Sequence, residues 1–186
     1  MIETVGYYRA KNRRDRFSIY RSSRDKGPRI SGPVVKDPTK ALLVKVIAYC
    51  LMTTHIHLIL QQTELGGISQ FVGLILNSYT KYFNLKYERK GPMWEDRFKN
   101  ILINNDNQLL NVSRYIHLNP VTAFLANHPS EWKYSSYREY MNLIRDEDRI
   151  CDFKDIIEIK DPKSYEEFCI SNIKLQRELA IIKKLT

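Results

Sequence analysis

Two short apolar runs stand close together near the middle of the chain, and their spacing leaves little choice but a strand pair. Leu42 to Cys50 is apolar and β-branched, Met52-Thr53-Thr54 can turn the chain, and His55 to Leu60 is a second run of strand length. The two-residue period of a strand then puts His55, His57 and Ile59 on one face and Ile56, Leu58 and Leu60 on the other. One face is expected to meet the core and the other to carry two imidazoles.

Beyond the strand pair the chain reads as helix, turn and helix. After Gly66-Gly67, the residues Ile68, Phe71, Val72, Ile75, Tyr79, Tyr82 and Phe83 recur at three- and four-residue intervals, which predicts an amphipathic helix over 68–86. Its end and the next segment carry Lys81, Lys86, Arg89 and Lys90 beside Tyr82 and Tyr87, a mixture suited to phosphates and exposed bases. A solvated helix end near the favourable dipole pole explains any one of those lysines equally well. Gly91-Pro92 turns the chain, and Trp94, Phe98, Ile101 and Ile103 predict another strand or two over 93–103. Asn105 or Asp106 can cap a helix running to about Leu118, and Pro120 is expected to end it at Asn119. Trp132, Tyr134, Tyr137 and Tyr140 form an aromatic cluster of the kind that packs on a core, and a final helix is predicted over 165–184.

Composition narrows the class. A length of 186 residues suits one compact domain with an appendage, and 43% hydrophobic with 27% charged residues excludes a disordered, collagen-like or disulfide-framework chain. The division read from it is a basic, mostly irregular arm over 1–41, a core over 42–145 and a charged, helical tail over 146–186. A net charge of +9 favours polyanionic partners, nucleic acid before an anionic membrane. The three cysteines show no CxxC spacing, which fits a reducing, cytoplasmic setting, and the N-terminus shows no signal-peptide pattern. Residues 42–60 are too polar to span a membrane.

The chemistry-bearing residues form two groups. Alternation along a strand lets His55 and His57 reach one divalent cation, although an HxH pair arises by chance in about one such sequence in fifteen, so alone it says little. Tyr115 and Asn119 are four apart on a helix and share a face, so a hydroxyl and an amide are presented together. That pair is equally readable as a core tyrosine followed by a helix cap.

Taken together, the segments resemble a known family. Ala48-Tyr-Cys-Leu-Met-Thr-Thr-His-Ile-His-Leu-Ile-Leu60 resembles the HUH metal motif of the IS200-like, single-tyrosine (Y1) transposases, and of their REP-associated branch in particular. Ser78-Tyr-Thr-Lys-Tyr-Phe-Asn84, Gly91-Pro-Met-Trp-Glu-Asp-Arg-Phe98, Arg114-Tyr-Ile-His-Leu-Asn-Pro120 and Trp132-Lys-Tyr-Ser-Ser-Tyr-Arg138 come in the family's order. The resemblance implies an α+β, ferredoxin-like antiparallel sheet with helices on one face. It also implies cleavage and rejoining of single-stranded or hairpin DNA through a 5′-phosphotyrosine. In that scheme Tyr115 is the nucleophile, and His55, His57 and Asn119 hold Mg2+ or Mn2+. Lys81, Lys86, Arg89, Lys90 and Arg97 are candidate DNA contacts. Relatives act as dimers or monomers, and the implied setting is the cytoplasmic nucleoid.

Two departures accompany the resemblance. Thr53-Thr54 stand where relatives carry Pro-Asn or Pro-Asp, a change of turn chemistry expected to move no ligand. Relatives also begin with a strand resembling Tyr-His-Val beside the HUH strand, and nothing before Tyr7 matches it. The expectation is a sheet lacking that first strand unless residues 1–8, with Val5, Tyr7 and Tyr8, replace it. Three readings therefore compete: an active strand transferase, a truncated or domesticated relative that binds DNA without cutting, and an unrelated hydrolase, which would need carboxylate ligands absent from the HxH region.

Overall fold

The computed structural model describes residues 1–10 and 42–185, with side chains up to residue 180, so much of the 1–41 arm lies outside the described residues. The fold is α+β. Helix α1 (Ile2–Tyr8) is followed by strands β1 (Val44–Leu51) and β2 (Ile56–Gln62), then helices α2 (Gly67–Lys86), α3 (Asp106–Thr122), α4 (Tyr137–Tyr140), α5 (Pro162–Ile170) and α6 (Ile173–Leu185). Among the described residues the sheet has two strands, β1 and β2, closed by a bond from Met52 N–H to His55 O of 2.9 Å. The described residues divide into two compact units, Met1–Lys45 with Gln61–Ile101, and Val46–Leu60 with Leu102–Thr186.

In the first unit, α1 packs on α2, with Val5 and Tyr7 buried on one and Phe71, Val72 and Ile75 on the other. Residues 2–8 are thus helical and do not supply the strand that Val5, Tyr7 and Tyr8 could have formed. Arg9 still has helical backbone angles, and the chain pairs only from Ala10, which bridges Leu42 antiparallel while Leu43 N–H donates to Arg9 O at 2.8 Å. Gly66 enters α2 in the left-handed region, at φ +76°, and a Cβ on Gly67 would overlap the Leu43 carbonyl. Gly67→Ala is therefore expected to cost about 2 kcal/mol, because backbone cannot yield as a flexible side chain would. Urea denaturation of the variant checks this, and an unchanged midpoint would mean the turn repacks freely.

No strand forms over 93–103, contrary to the sequence expectation. Trp94 is engaged instead with α2, its indole N–H donating to Thr80 Oγ1 at 2.9 Å, and Ile101 and Leu102 stay largely exposed. With no pairing partner, apolar content alone does not make a strand.

In the second unit the core gathers Ile47, Ala48 and Cys50 of β1, Ile59 of β2, Ile116 and Leu118 of α3, Tyr137 and Tyr140 of α4, and Tyr165 and Cys169 of α5. The other side of β1 is covered by irregular chain. Leu51 N–H donates to Tyr134 O (2.9 Å), Ser136 N–H to Tyr49 O (2.9 Å) and Asp152 N–H to Val46 O (2.7 Å). Backbone groups that a further strand would have paired are satisfied this way. Phe153, Ile157 and Tyr165 are buried here, so the stretch read as a charged tail contributes core. The predicted last helix is two, α5 and α6, parted at Ser171-Asn172, where Asn172 Nδ2 donates back to Phe168 O at 3.0 Å.

Helix α3 departs from expectation at its end. Asn105 caps its start as read, accepting from Gln108 N–H at 2.8 Å, but the helix runs through Pro120 to Thr122. Interior proline costs about 3 kcal/mol. That cost is offset because Leu118, Asn119, Pro120 and Val121 are all buried, and because the carbonyls of the helix's last turn find donors. Ala123 N–H reaches Asn119 O (2.9 Å), Leu125 N–H reaches Pro120 O (2.8 Å), and the Arg177 guanidinium of α6 reaches Val121 O at 3.1 and 3.2 Å.

Candidate active site

The second unit holds all four residues singled out for chemistry. His55 lies in the turn just before β2, exposed, and His57 is half-buried one step into the strand. Their ring centroids are 4.7 Å apart at 88°. The expected division of faces needs correction. Ile59, on the histidine side, is the β2 residue that is fully buried, whereas Ile56, Leu58 and Leu60 are partly exposed. The imidazoles thus sit at the end of the face that α3 covers, and the reason is visible in the contacts: Ile59 joins Ile116 and Leu118, and His57 meets Tyr115 at a ring distance of 6.0 Å.

Tyr115 is 46% exposed, although Ile116, His117, Leu118, Asn119, Pro120 and Val121 immediately after it are all buried. A tyrosine this open stands out on an otherwise inward-facing turn. Beside it, α3 and α6 line an open pocket of about 310 Å3 whose walls include Arg114, Tyr115, Asn119, Thr122 and Gln176. Gln176 Nε2 donates to Tyr115 O at 3.2 Å, which ties α6 to the turn bearing the hydroxyl. Asn119 is only 8% exposed, and its Nδ2 is buried without a partner. An orphaned amide next to a cavity is costly unless something polar arrives there.

Burial, and next the neighbouring His55, lower the pKa of His57 to about 4, so its ring is neutral with a free lone pair near pH 7. His55 Nδ1 lies 3.0 Å from the Thr54 hydroxyl. If Nδ1 donates there, Nε2 is left as the acceptor, the arrangement metal-bound imidazoles ordinarily use. Thr54, noted in the sequence only as a departure, thus has a place in orienting His55.

His55 and His57 bring two imidazoles together, a donor type that suits divalent transition metals. Among the described residues no three His, Cys, Asp or Glu side chains cluster as ligands. Asn119 supplies an amide whose orientation no hydrogen bond from Nδ2 fixes. It makes no hydrogen bond to either histidine.

His117 is a residue that carries no chemical role in the sequence pattern. It is fully buried, with Nδ1 2.8 Å from the Tyr165 hydroxyl and Nε2 2.8 Å from Ser136 Oγ. Ser136 in turn accepts from Tyr49 N–H at 2.8 Å, so the imidazole links α3 to β1 on one side and to α5 on the other. Its ring is flanked by Tyr137, Tyr140 and Tyr165 at 5.6, 4.6 and 5.8 Å. Burial lowers its pKa to about 3. The only signal in the sequence is its place two residues after Tyr115, which turns it to the opposite face of α3. The candidate DNA contacts Lys81, Lys86, Arg89, Lys90 and Arg97 are exposed in the first unit.

A strand pair carrying two imidazoles, with a helix presenting an open tyrosine beside them, agrees with the sequence resemblance, and the comparisons with known proteins point the same way. The chain belongs to the IS200-like transposase family, whose model matches residues 10–119. The match begins inside the segment read as a basic arm, well ahead of residue 42. Over 103 residues the chain is 27% identical to a Haemophilus influenzae protein named "Putative REP-associated tyrosine transposase", covering 50% of this chain and 58% of that relative. The chain thus spans little more than half the length of this curated relative, and the likeness supports the REP-associated branch. No solved structure matches it.

Proposed function

We propose that the protein cleaves and rejoins single-stranded or hairpin DNA through a covalent bond to Tyr115, with residues 42–145 as the catalytic core. The observation that carries this reading is the half-exposed Tyr115 ring standing 6.0 Å from the His57 ring. The Tyr115 oxygen attacks the scissile phosphorus, the P–O3′ bond breaks, and the phosphate stays on the 5′ end as a phosphotyrosine. The phenol proton is lost and the departing O3′ gains one. A free 3′-OH can then reverse the step, since the phosphodiester energy is retained in the linkage.

The chain's own groups prepare that step. Helix α3 holds the phenol in the open, and Arg114 and Gln176 line the adjoining cavity with a cation and an amide. His55, His57 and Asn119 would hold a divalent cation, Mg2+ or Mn2+. When bound, the cation supplies polarisation of the scissile phosphate, which a weakly nucleophilic phenol needs. Thr54 keeps His55 oriented.

The test is cleavage of a labelled single-stranded oligonucleotide with Mn2+, before and after chelation, by wild type and His57→Ala. Cleavage is expected to fall by about two orders of magnitude in both cases, while DNA binding persists on the basic surface. Cleavage surviving complete chelation would remove the metal from the mechanism. A second reading is binding of DNA without cleavage. It predicts intact binding and no covalent product from the wild type.

The family's DNA-acting character bears on location as well. Among the described residues no helix is long and apolar enough to cross a membrane. We place the protein with the nucleoid in the cytoplasm, in keeping with its net charge of +9.

A further inference from the structure

We propose that the C-terminal half of α2 and the turn after it form a stacking platform for unpaired bases of single-stranded DNA, a binding site in the first unit with Tyr82 and Tyr87 as its contact surfaces. The inference rests on the reading of the substrate as single-stranded DNA and adds where its bases are held.

The platform starts from a helical aromatic ladder. Tyr79, Phe83 and Tyr87 follow one another at i, i+4 spacing, with ring centroids 6.1 and 4.5 Å apart, and Trp94 closes against Tyr79 at 6.3 Å. Phe83 and Trp94 form its partly buried base. Tyr82 and Tyr87 do not: they are 46% and 55% exposed, although burying an aromatic ring is strongly favourable. Leu85 beside them is 83% exposed.

Cations are interleaved with these rings. Lys86 Nζ stands 5.8 Å from the Tyr82 centroid and 5.4 Å from that of Tyr87, and the Arg89 guanidinium lies 5.6 Å from Phe83. Residues 79–99 hold six Lys and Arg against three Asp and Glu. No carboxylate pairs with Lys81, Lys86, Arg89 or Lys90 among the described residues, and Lys86 is held by the Tyr82 and Tyr87 side chains, so no acidic group neutralises these charges. The turn is also held in place. Asn84 Nδ2 donates to Gly91 O at 2.9 Å, Arg89 N–H donates to Asn84 O at 2.9 Å, and Gly91 and Glu88 take the positive φ values that the reversal needs. A preformed surface loses little entropy on binding.

Exposed flat rings alternating with cations that no carboxylate neutralises match a strand whose bases have free faces and whose backbone is charged. Duplex DNA offers the charge without the faces, and it would engage the lysines alone.

The experiment is fluorescence anisotropy with the full chain, using a labelled oligothymidylate and a blunt duplex over a range of salt. Tyr82→Ala and Tyr87→Ala are each expected to weaken oligothymidylate binding by about tenfold, with an unchanged salt slope and unchanged duplex binding. Phe at either position should restore it, and Lys86→Ala should instead shallow the slope by about one ion. Alanine variants that bind oligothymidylate like wild type, or that lose duplex equally, overturn the platform and leave the function standing. A wild type that binds no single-stranded DNA overturns both.

Discussion

Tyr115→Phe is expected to abolish the covalent protein–DNA adduct while leaving DNA affinity close to that of wild type. The substitution removes one oxygen. The ring remains, so its edge contact with His57 and its place on α3 are kept, and among the described residues the hydroxyl has no hydrogen bond whose loss would loosen the fold. A nucleophile that vanishes takes the whole covalent step with it, a loss beyond about 10³-fold in rate. The measurement is a denaturing gel with labelled single-stranded DNA, in which a shifted, protease-sensitive band appears for wild type and not for the variant. An adduct of undiminished yield would move the nucleophile to another tyrosine. Binding lost along with cleavage would instead assign Tyr115 to DNA affinity.

The second large effect concerns His117. Replacing it with Ala should destabilise the second unit by about 3 to 5 kcal/mol, since a ring packed among three tyrosines is emptied and the Tyr165 and Ser136 hydroxyls each lose a partner. The effect has a pH signature. An imidazole with an unfolded pKa near 6.5 and a folded pKa of about 3 takes up its proton first in the unfolded state. Its contribution to stability is therefore complete above about pH 6.5 and is lost as pH falls toward 3, amounting to about 3 kcal/mol by pH 4. Denaturant titrations of wild type and His117→Phe at pH 7 and pH 4 check this: the Phe variant, with no titrating ring, should close the gap to wild type in acid. A gap that stays constant would show that His117 is protonated in the fold. Because His117 ties α3 to β1 through Ser136, the Ala variant should also lose adduct formation despite an intact Tyr115.

These two residues show what is legible in the sequence. Tyr115, His55 and His57 can be found because strand alternation and segment order mark them, and the capped start of α3 and the length of α2 come from Asn105 and the apolar spacing. His117 cannot, since a lone histidine on a helix reads the same whether it faces solvent or fills a core. Which face of β2 meets the core is likewise open: period two separates the faces without ranking them, and α3 decides in favour of the histidine side through Ile59. Pro120 misleads because its local cost is certain while the burial of Leu118 to Val121 and the Arg177 cap depend on residues far along the chain. The apolar residues of 93–103 mislead for the converse reason, as Trp94 finds its partner in a helix.

The most direct measurement of the proposed chemistry is recovery of the adduct and mapping of its linkage. Wild-type protein is incubated with a single-stranded oligonucleotide library and Mn2+, the covalent product is digested with trypsin and nuclease, and the modified peptide is sequenced by mass spectrometry. The expected product is a nucleotide joined through phosphate to the tyrosine of Tyr115-Ile-His-Leu-Asn119, with a free 3′-OH on the released strand. A linkage at any other residue, or DNA cleaved with no protein attached, would contradict the assignment of Tyr115 as nucleophile.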